Sequence, residues 1–342
     1  MNQKVVIIAE AGVNHNGDFD RAIQLIDAAA QAGADYVKFQ TFKAENIVNP
    51  NAIKAEYQIQ NMADEEDTTQ FSMLKKLEMQ DDWYPHLIAR CTEKEIKFLS
   101  TGFDIQSIDF LEGIEIPFYK IPSGEITNKP YLQNVARKGK EIILSTGMAN
   151  LQEIKEAIEV IEAEGIARER IIVLHCNTEY PTPMKDVNLL AMNHISNELG
   201  LRVGYSDHTL GIEVPIAAVA LGACVIEKHF TLDRTLPGPD HAASLEPNEL
   251  IAMVKGIRNI ELAISGSGVK EPSHSEKKNI DIARKSLHLK KDLKKEHILK
   301  GDDLIALRPG DGITPMQIDN IIGKKLLVDL PKGHKIQMND LV

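Results

Sequence analysis

Arg202-Val-Gly-Tyr-Ser-Asp-His208 and Ala223-Cys-Val-Ile-Glu-Lys-His229 are two short strand-like runs, each ending in histidine. Between them, residues 211–222 form an Ala-, Val- and Leu-rich segment of helix length, bounded by Gly211 and Gly222. Strand, helix, strand in this order reads as a parallel βαβ unit, whose crossover brings both strand ends to one edge. Two metal-competent side chains then share that edge. The reading of the rest of the chain turns on what the other strands bring to it.

Helical periods separate the eight strand candidates. The strands fall at 4–9, 36–40, 96–99, 118–121, 141–144, 170–174, 201–205 and 225–227, and the main helical stretches at 18–32, 81–93, 105–112, 130–138, 151–164, 188–199 and 212–221. Eight alternating βα units suggest a closed (β/α)8 TIM barrel. An open doubly wound sheet has the same periodicity, because period alone does not show closure. Residues 42–80 form a long polar, helix-leaning insert after the second strand, on the rim where strands end, so it is expected to cover a site there.

After a helix near 248–264, Ser265-Gly-Ser-Gly-Val-Lys-Glu-Pro-Ser-His-Ser275 reads as a linker. Its glycines follow no strand, which argues against a phosphate loop. The expected division is a barrel at 1–265, a linker at 266–285 and a small β-rich domain at 286–342. In that last part His297 precedes Asp303-Leu304, and His334 precedes Asp340-Leu341 at the same spacing, a loose internal repeat. A domain of this size has a small core.

Composition removes several classes of function. The chain has 43% hydrophobic but only 5% aromatic residues, so its core is aliphatic. A net charge of −11 argues against binding nucleic acid or an anionic membrane, and any anionic substrate must meet its cations inside the site. Cys91, Cys176 and Cys224 are too few and too scattered for a disulfide framework or a thiolate zinc site. The N-terminal apolar run is too short for a signal peptide, and nothing approaches a membrane span, so the expected location is the cytoplasm.

Strand parity identifies the residues that face inward at the strand ends, where barrels carry their chemistry. The first strand brings Glu10, the second Lys38 and Gln40, and the third Ser100-Thr101. The fourth brings Lys120 into Pro122-Ser-Gly-Glu125, and the fifth Ser145-Thr-Gly147. The sixth runs from His175 to Tyr180, the seventh brings Ser206 and His208, and the eighth Glu227 and His229. Lysines with Ser/Thr-Gly turns suit a phosphorylated or carboxylated ligand. Two histidines without thiolates suit a first-row divalent ion, able to act as a Lewis acid on an aldehyde oxygen. Glu10 is the candidate general base. His175 is evenly balanced between ligand and core, His15 reads as a turn residue, and Cys176 as packing.

Ile8-Ala-Glu-Ala-Gly-Val-Asn-His-Asn-Gly17, Val37-Lys-Phe-Gln40, Lys120-Ile-Pro-Ser-Gly-Glu125, Leu144-Ser-Thr-Gly-Met148, Gly204-Tyr-Ser-Asp-His208 and Glu227-Lys-His-Phe230 together resemble the sialic acid synthase family. Pro237-Gly-Pro-Asp-His241 and Leu307-Arg-Pro-Gly310 extend the likeness along the whole chain, whose C-terminal part is similar to that family's antifreeze-like SAF domain of β-clip fold. The resemblance implies condensation of phosphoenolpyruvate with an open-chain N-acetylated amino sugar and water, giving a nine-carbon 2-keto acid and phosphate. His208 and His229 would hold a divalent metal, Mn2+ first with Mg2+ or Co2+ as alternatives, and Glu10 would handle the proton or the water. Lys38, Thr101, Lys120, Ser123, Ser145 and Ser206 would hold phosphoenolpyruvate. Gln40, Glu125, Tyr180 and Asp240 would face the sugar. Arg308 would reach into the barrel of a second subunit, which implies a domain-swapped homodimer.

Two departures stand out. Gly102 follows Thr101 where the family commonly has proline, which frees the turn, and Asn177 follows Cys176 where a second threonine is common. The resemblance implies N-acetylmannosamine or its 2,4-diacetamido-6-deoxy analogue as the acceptor. Leu74-Lys-Lys-Leu-Glu78 looks closer to the legionaminate branch, but the residues do not separate the two. A synthase of the octulosonate or heptulosonate type is the third alternative, disfavoured by the SAF-like tail.

Overall fold

A computed structural model of the chain describes residues 4–61 and 69–342, so residues 62–68 of the insert and 1–3 of the first apolar run lie outside the described residues. The chain divides into two compact units between Ser265 and Gly266.

The first unit holds eight strands: β1 (Val6–Gly12), β2 (Tyr36–Thr41), β3 (Lys97–Gly102), β4 (Tyr119–Ile121), β5 (Ile142–Ser145), β6 (Ile171–Cys176), β7 (Arg202–Asp207) and β8 (Val225–His229). Their order is β3-β2-β1-β8-β7-β6-β5-β4, and every pairing is parallel. The first strand pairs with the last, Glu10 opposite His229. That pairing bends the sheet round, and β3 and β4 lie side by side at the seam without ladder hydrogen bonds. The result is a near-closed (β/α)8 barrel, not an open sheet.

Local sequence explains the alternation. The first helix, Phe19–Ala32, is capped by Asp18, whose side chain accepts the Arg21 N–H, and it stops at Gly33 in the left-handed region (φ 78°). Its buried stripe of Ala22, Leu25, Ile26 and Ala29 packs on the barrel wall. The strands are buried on both faces, as expected of a parallel sheet. Ile8, Tyr36, Leu99, Phe118, Ile143, Ile172, Leu174 and Val225 fill the barrel interior. Ile7, Val37, Phe39, Ile142, Val173, Val203 and Ile226 meet the helices. Several strands run one to three residues beyond the apolar runs of the sequence, because ladder bonding continues under polar side chains.

Within the insert, helices at Ala44–Ile47, Glu56–Asn61 and Gln70–Leu77 are described. Val13, Phe42, Met73 and Leu77 give it a small core of its own.

The second unit opens with two helical turns, His274–Lys277 and Ile280–Ala283, within the stretch read as a linker. It continues with an antiparallel pair, β9 (Ser286–Leu289) and β10 (Leu304–Leu307), and a compact core that includes Leu287, Leu299, Ile321, Leu326 and Ile336. The repeat seen in the sequence has a physical basis. His297 Nε2 meets Asp303 Oδ2 at 2.8 Å and His334 Nε2 meets Asp340 Oδ2 at 3.0 Å. The same carboxylate oxygens accept the Lys300 and Gln337 backbone N–H groups, each at 2.9 Å. Among the described residues no helix is long and apolar enough to cross a membrane.

Candidate active site

The inward side chains of the last barrel rung surround one cavity of about 550 Å³ at the strand C-termini. Glu10, Lys38, Gln40, Thr101, Lys120, Ser123, Ser145, Tyr180, Ser206, His208 and His229 line it, and so does Glu227, to which the sequence reading gave no role. Ala55, Glu56 and Gln70 from the insert line it as well, so the insert does border the cavity.

At the centre is an alternating array of buried charges, each no more than 6% exposed. Lys38 Nζ lies 2.7 Å from Glu10 Oε2 and 3.5 Å from Glu227 Oε2, while Lys120 Nζ lies 3.0 Å from Glu227 Oε1. Lys38 also donates to Thr101 Oγ1 (2.9 Å), and Ser206 Oγ donates to Glu227 Oε1 (2.9 Å). Unpaired charges would be costly this deep, and alternation of sign offsets the cost. Two inward lysines need a carboxylate between them. That requirement, with the shared phase of Glu227 and His229, was the signal available in the sequence for Glu227.

The array separates its two glutamates. Burial pushes the Glu10 carboxyl above its ordinary range, and the Glu227 charge adds to this while Lys38 opposes it. Burial acts on Glu227 in the same direction, but Lys120 and Lys38 outweigh it and hold that group below the ordinary carboxylate range. One carboxylate is firmly ionised, and its neighbour is poised to exchange a proton.

His208 and His229 face each other with ring centroids 5.5 Å apart, and Tyr180 stacks on His208 at 4.1 Å. Burial lowers His208 to about 4 and holds His229 well below the ordinary imidazole value, with His208 adding to the second effect, so both imidazoles are neutral and able to ligate. Nδ1 of His208 bonds the Asn177 carbonyl, which turns Nε2 towards Ser206. Nδ1 of His229 is buried with no hydrogen-bond partner among the described residues, and Asp240 Oδ2 stands 3.9 Å away. A divalent ion fits this donor set: two neutral imidazoles, one holding an unused lone pair. Among the described residues no cluster of three or more His, Cys, Asp or Glu forms a closed cage, so substrate and water would complete the coordination.

On the lysine side, Ser145 Oγ is buried with no hydrogen-bond partner among the described residues, and Ser123 Oγ accepts the Gly147 N–H at 2.9 Å. A Cβ on Gly147 would lie 2.5 Å from Thr178 Cγ2, so only glycine lets the two loops approach this closely. The turn at Gly102 is closely packed and tied as well. A Cβ there would lie 2.8 Å from Ile108 Cδ1, and Tyr131 Oη donates to the Gly102 carbonyl at 2.5 Å.

Other residues sit elsewhere. Asp240 is buried beside His229, and burial raises its carboxyl to about 7. Its loop is pinned by Ser244 Oγ donating to Asp240 O (2.7 Å) and by Asn61 Nδ2 donating to Pro239 O (2.7 Å). Glu125 lines a neighbouring groove with Asn46, Asp104 and Asn128, and accepts from Asn128 Nδ2. Arg308 is exposed in the second unit, where its Nε donates to Ala283 O. His175 points out of the barrel to the Val187 carbonyl, and His15 Nδ1 accepts the Gly17 N–H in a turn against Trp83.

Fold and site together are those of a (β/α)8 barrel with a polar cavity at its strand ends, where two buried lysines stand near a pair of neutral histidines. Comparison with known proteins makes this specific. Residues 25–270 match the model of the NeuB family and residues 284–342 that of the SAF domain. The chain belongs to the NeuB family and is a phosphoenolpyruvate-dependent nonulosonic acid synthase. It is 52% identical over 322 residues to the N,N'-diacetyllegionaminic acid synthase of Campylobacter jejuni, covering 94% of this chain and 96% of that one. It is 50% identical to the protein of the same name from Legionella pneumophila, covering 96% and 92%. Among solved structures, the N-acetylneuraminic acid synthetase of Leptospira borgpetersenii, in complex with citrate, superposes with a TM-score of 0.70 at 35% identity, covering 82% of this chain and 91% of that one.

Proposed function

We propose that the chain is an N,N'-diacetyllegionaminic acid synthase, joining phosphoenolpyruvate to a 2,4-diacetamido-6-deoxy amino sugar. What supports this acceptor is the grading of identity: 52% and 50% with two legionaminic acid synthases, against 35% with the neuraminic acid synthetase. This favours the diacetamido sugar over N-acetylmannosamine, which the motifs alone do not separate.

Enolpyruvate C3 attacks the open-chain aldehyde, water adds at C2, and phosphate leaves by C–O cleavage. Lys120 keeps donors that Glu227 does not use, and Lys38, whose three donors meet Glu10, Glu227 and Thr101, exchanges part of these contacts for the phosphate and carboxylate oxygens. Thr101, Ser123, Ser145 and Ser206 complete the anion pocket. Glu227 balances the two lysines while the site is empty of substrate. Glu10, with its raised pKa, takes up the proton lost as water adds at C2. Gln40, Tyr180 and Asp240 are assigned to the sugar, and Glu125 to whatever part of it extends into the neighbouring groove. A divalent ion held by His208 and His229, Mn2+ by preference, would supply Lewis acidity to the aldehyde oxygen. We also infer a homodimer in which Arg308 of one copy serves the barrel of the other. Arg308→Ala should then raise the sugar KM more than the phosphoenolpyruvate KM, and a fully active strict monomer would refute the dimer.

The test is phosphate release with phosphoenolpyruvate, Mn2+ and each sugar in parallel. A kcat/KM at least about tenfold higher for the diacetamido sugar is expected, since a site built for a second amide discriminates against its absence. The reverse preference would overturn the acceptor assignment.

A further inference from the structure

Beneath the two histidines lies a second buried ion pair that the reaction does not use. On β7 and β8 the outward faces carry Val203, Tyr205 and Ile226, all part of the apolar layer against the helices. One rung higher the same faces carry Asp207 and Lys228, each 0% exposed in its side chain. They are direct neighbours across the β7–β8 ladder, and Lys228 Nζ lies 2.5 Å from Asp207 Oδ2. Lys228 also donates to the Thr209 carbonyl. Thr209 returns its N–H to Asp207 Oδ1 (3.1 Å) and its hydroxyl to Oδ2 (3.0 Å).

Stability does not account for this arrangement. A buried ion pair carries a desolvation cost that an apolar pair of similar volume avoids, so such pairs are often neutral or unfavourable next to their apolar replacements. What the pair supplies is direction. It locks the last rung of β7 against β8 and closes the turn after His208. The residues that follow its members, on the opposite face, are His208 and His229. The backbone around them is tied in the same way, with Thr182 N donating to His208 O and Leu245 N to His229 O, both at 2.9 Å.

We propose that Asp207 and Lys228 are a positioning pair, which sets the relative placement of the His208 and His229 imidazoles for a shared divalent ion. The inference rests on the reading of those histidines as ligands. The pair acts through the backbone and touches neither ion nor substrate.

The test is Mn2+ binding to the full chain, followed by electron paramagnetic resonance, in the wild type, in His229→Ala and in the double variant Asp207→Leu/Lys228→Met. The double variant should fold with an unchanged or higher Tm, yet bind Mn2+ about 10–100-fold more weakly, the loss typical of residues that orient metal ligands. Its kcat should fall while the phosphoenolpyruvate KM stays the same. Thr209→Val, which removes one donor to Asp207 at nearly constant volume, should weaken Mn2+ in the same direction and serves if the double variant does not fold. Mn2+ affinity within twofold of wild type in a folded double variant, or in Thr209→Val where the double variant does not fold, would overturn the proposal and leave the pair a structural one. If His229→Ala binds Mn2+ as the wild type does, the ligand reading itself falls and the proposal falls with it.

Discussion

The barrel rim and the C-terminal unit both bring histidines together with carboxylates, and they treat them in opposite ways. In the C-terminal unit each acid is saturated by its own neighbourhood: Asp303 by His297, Lys291 and the Lys300 N–H, and Asp340 by His334 and the Gln337 N–H. At the rim, His229 Nδ1 and Ser145 Oγ are buried with no hydrogen-bond partner among the described residues, and Glu10 is held above its ordinary pKa. Saturated polar groups specify a fold. Groups left short of partners in a cavity, at a cost a fold alone would not retain, are set out for a ligand.

That contrast can be broken by substitution. The largest effects belong to the rim: Glu10→Ala and His229→Ala should each cost about 10²–10⁴ in kcat with the fold retained, measured by turnover and circular dichroism. Full turnover in either would refute the site. The pH profile sharpens the point. Glu10 must be ionised to accept a proton, and burial raises its pKa above the ordinary value of 4.5. Activity should therefore fall as pH drops through a pKa above that value, and the residual activity of Glu10→Gln should lack this limb.

Lys120→Met comes next. Loss of a charge-assisted contact should raise the phosphoenolpyruvate KM about 10–100-fold, and the variant should also lose stability, because Glu227 loses its closest cation. An unchanged KM would place the anion elsewhere. The smallest effect on chemistry belongs to the C-terminal unit. Asp303→Asn should cost about 1–3 kcal/mol of stability, read by thermal melts, and leave the phosphoenolpyruvate KM alone. Burial works to raise the Asp303 pKa, but Lys291, His297 and the Lys300 N–H outweigh it and hold it below 3.8. A depressed carboxylate contributes stability above its unfolded pKa and loses it as pH falls through the folded one. The wild type should therefore lose this contribution only below about pH 4, and Asp303→Asn should show no such loss.

How far the sequence could be read follows from the same geometry. Inward phase at a strand end is a local property, so Glu10, Lys38, Thr101, Lys120, Ser206, His208 and His229 could be placed on the rim from alternation alone. Glu125 follows β4 in a 3-10 turn, where strand phase no longer holds, and it lies in the next groove. Glu227 was in phase and still given no role, because its part depends on two lysines from distant strands. Barrel closure was equally illegible: periodicity places strands, and only the β1–β8 pairing bends the sheet round. The close packing of Gly102 is illegible for a similar reason, since its neighbour Ile108 lies in the helix that follows.

The most direct test of the central claim is to supply phosphoenolpyruvate labelled with oxygen-18 at the bridging oxygen, together with Mn2+ and the diacetamido sugar. The account predicts phosphate released in step with a nine-carbon 2-keto acid, carrying the label because the C–O bond breaks, and no release once the metal is chelated. Label retained in the keto acid, or no phosphate with either sugar while Mn2+ is present, would contradict it.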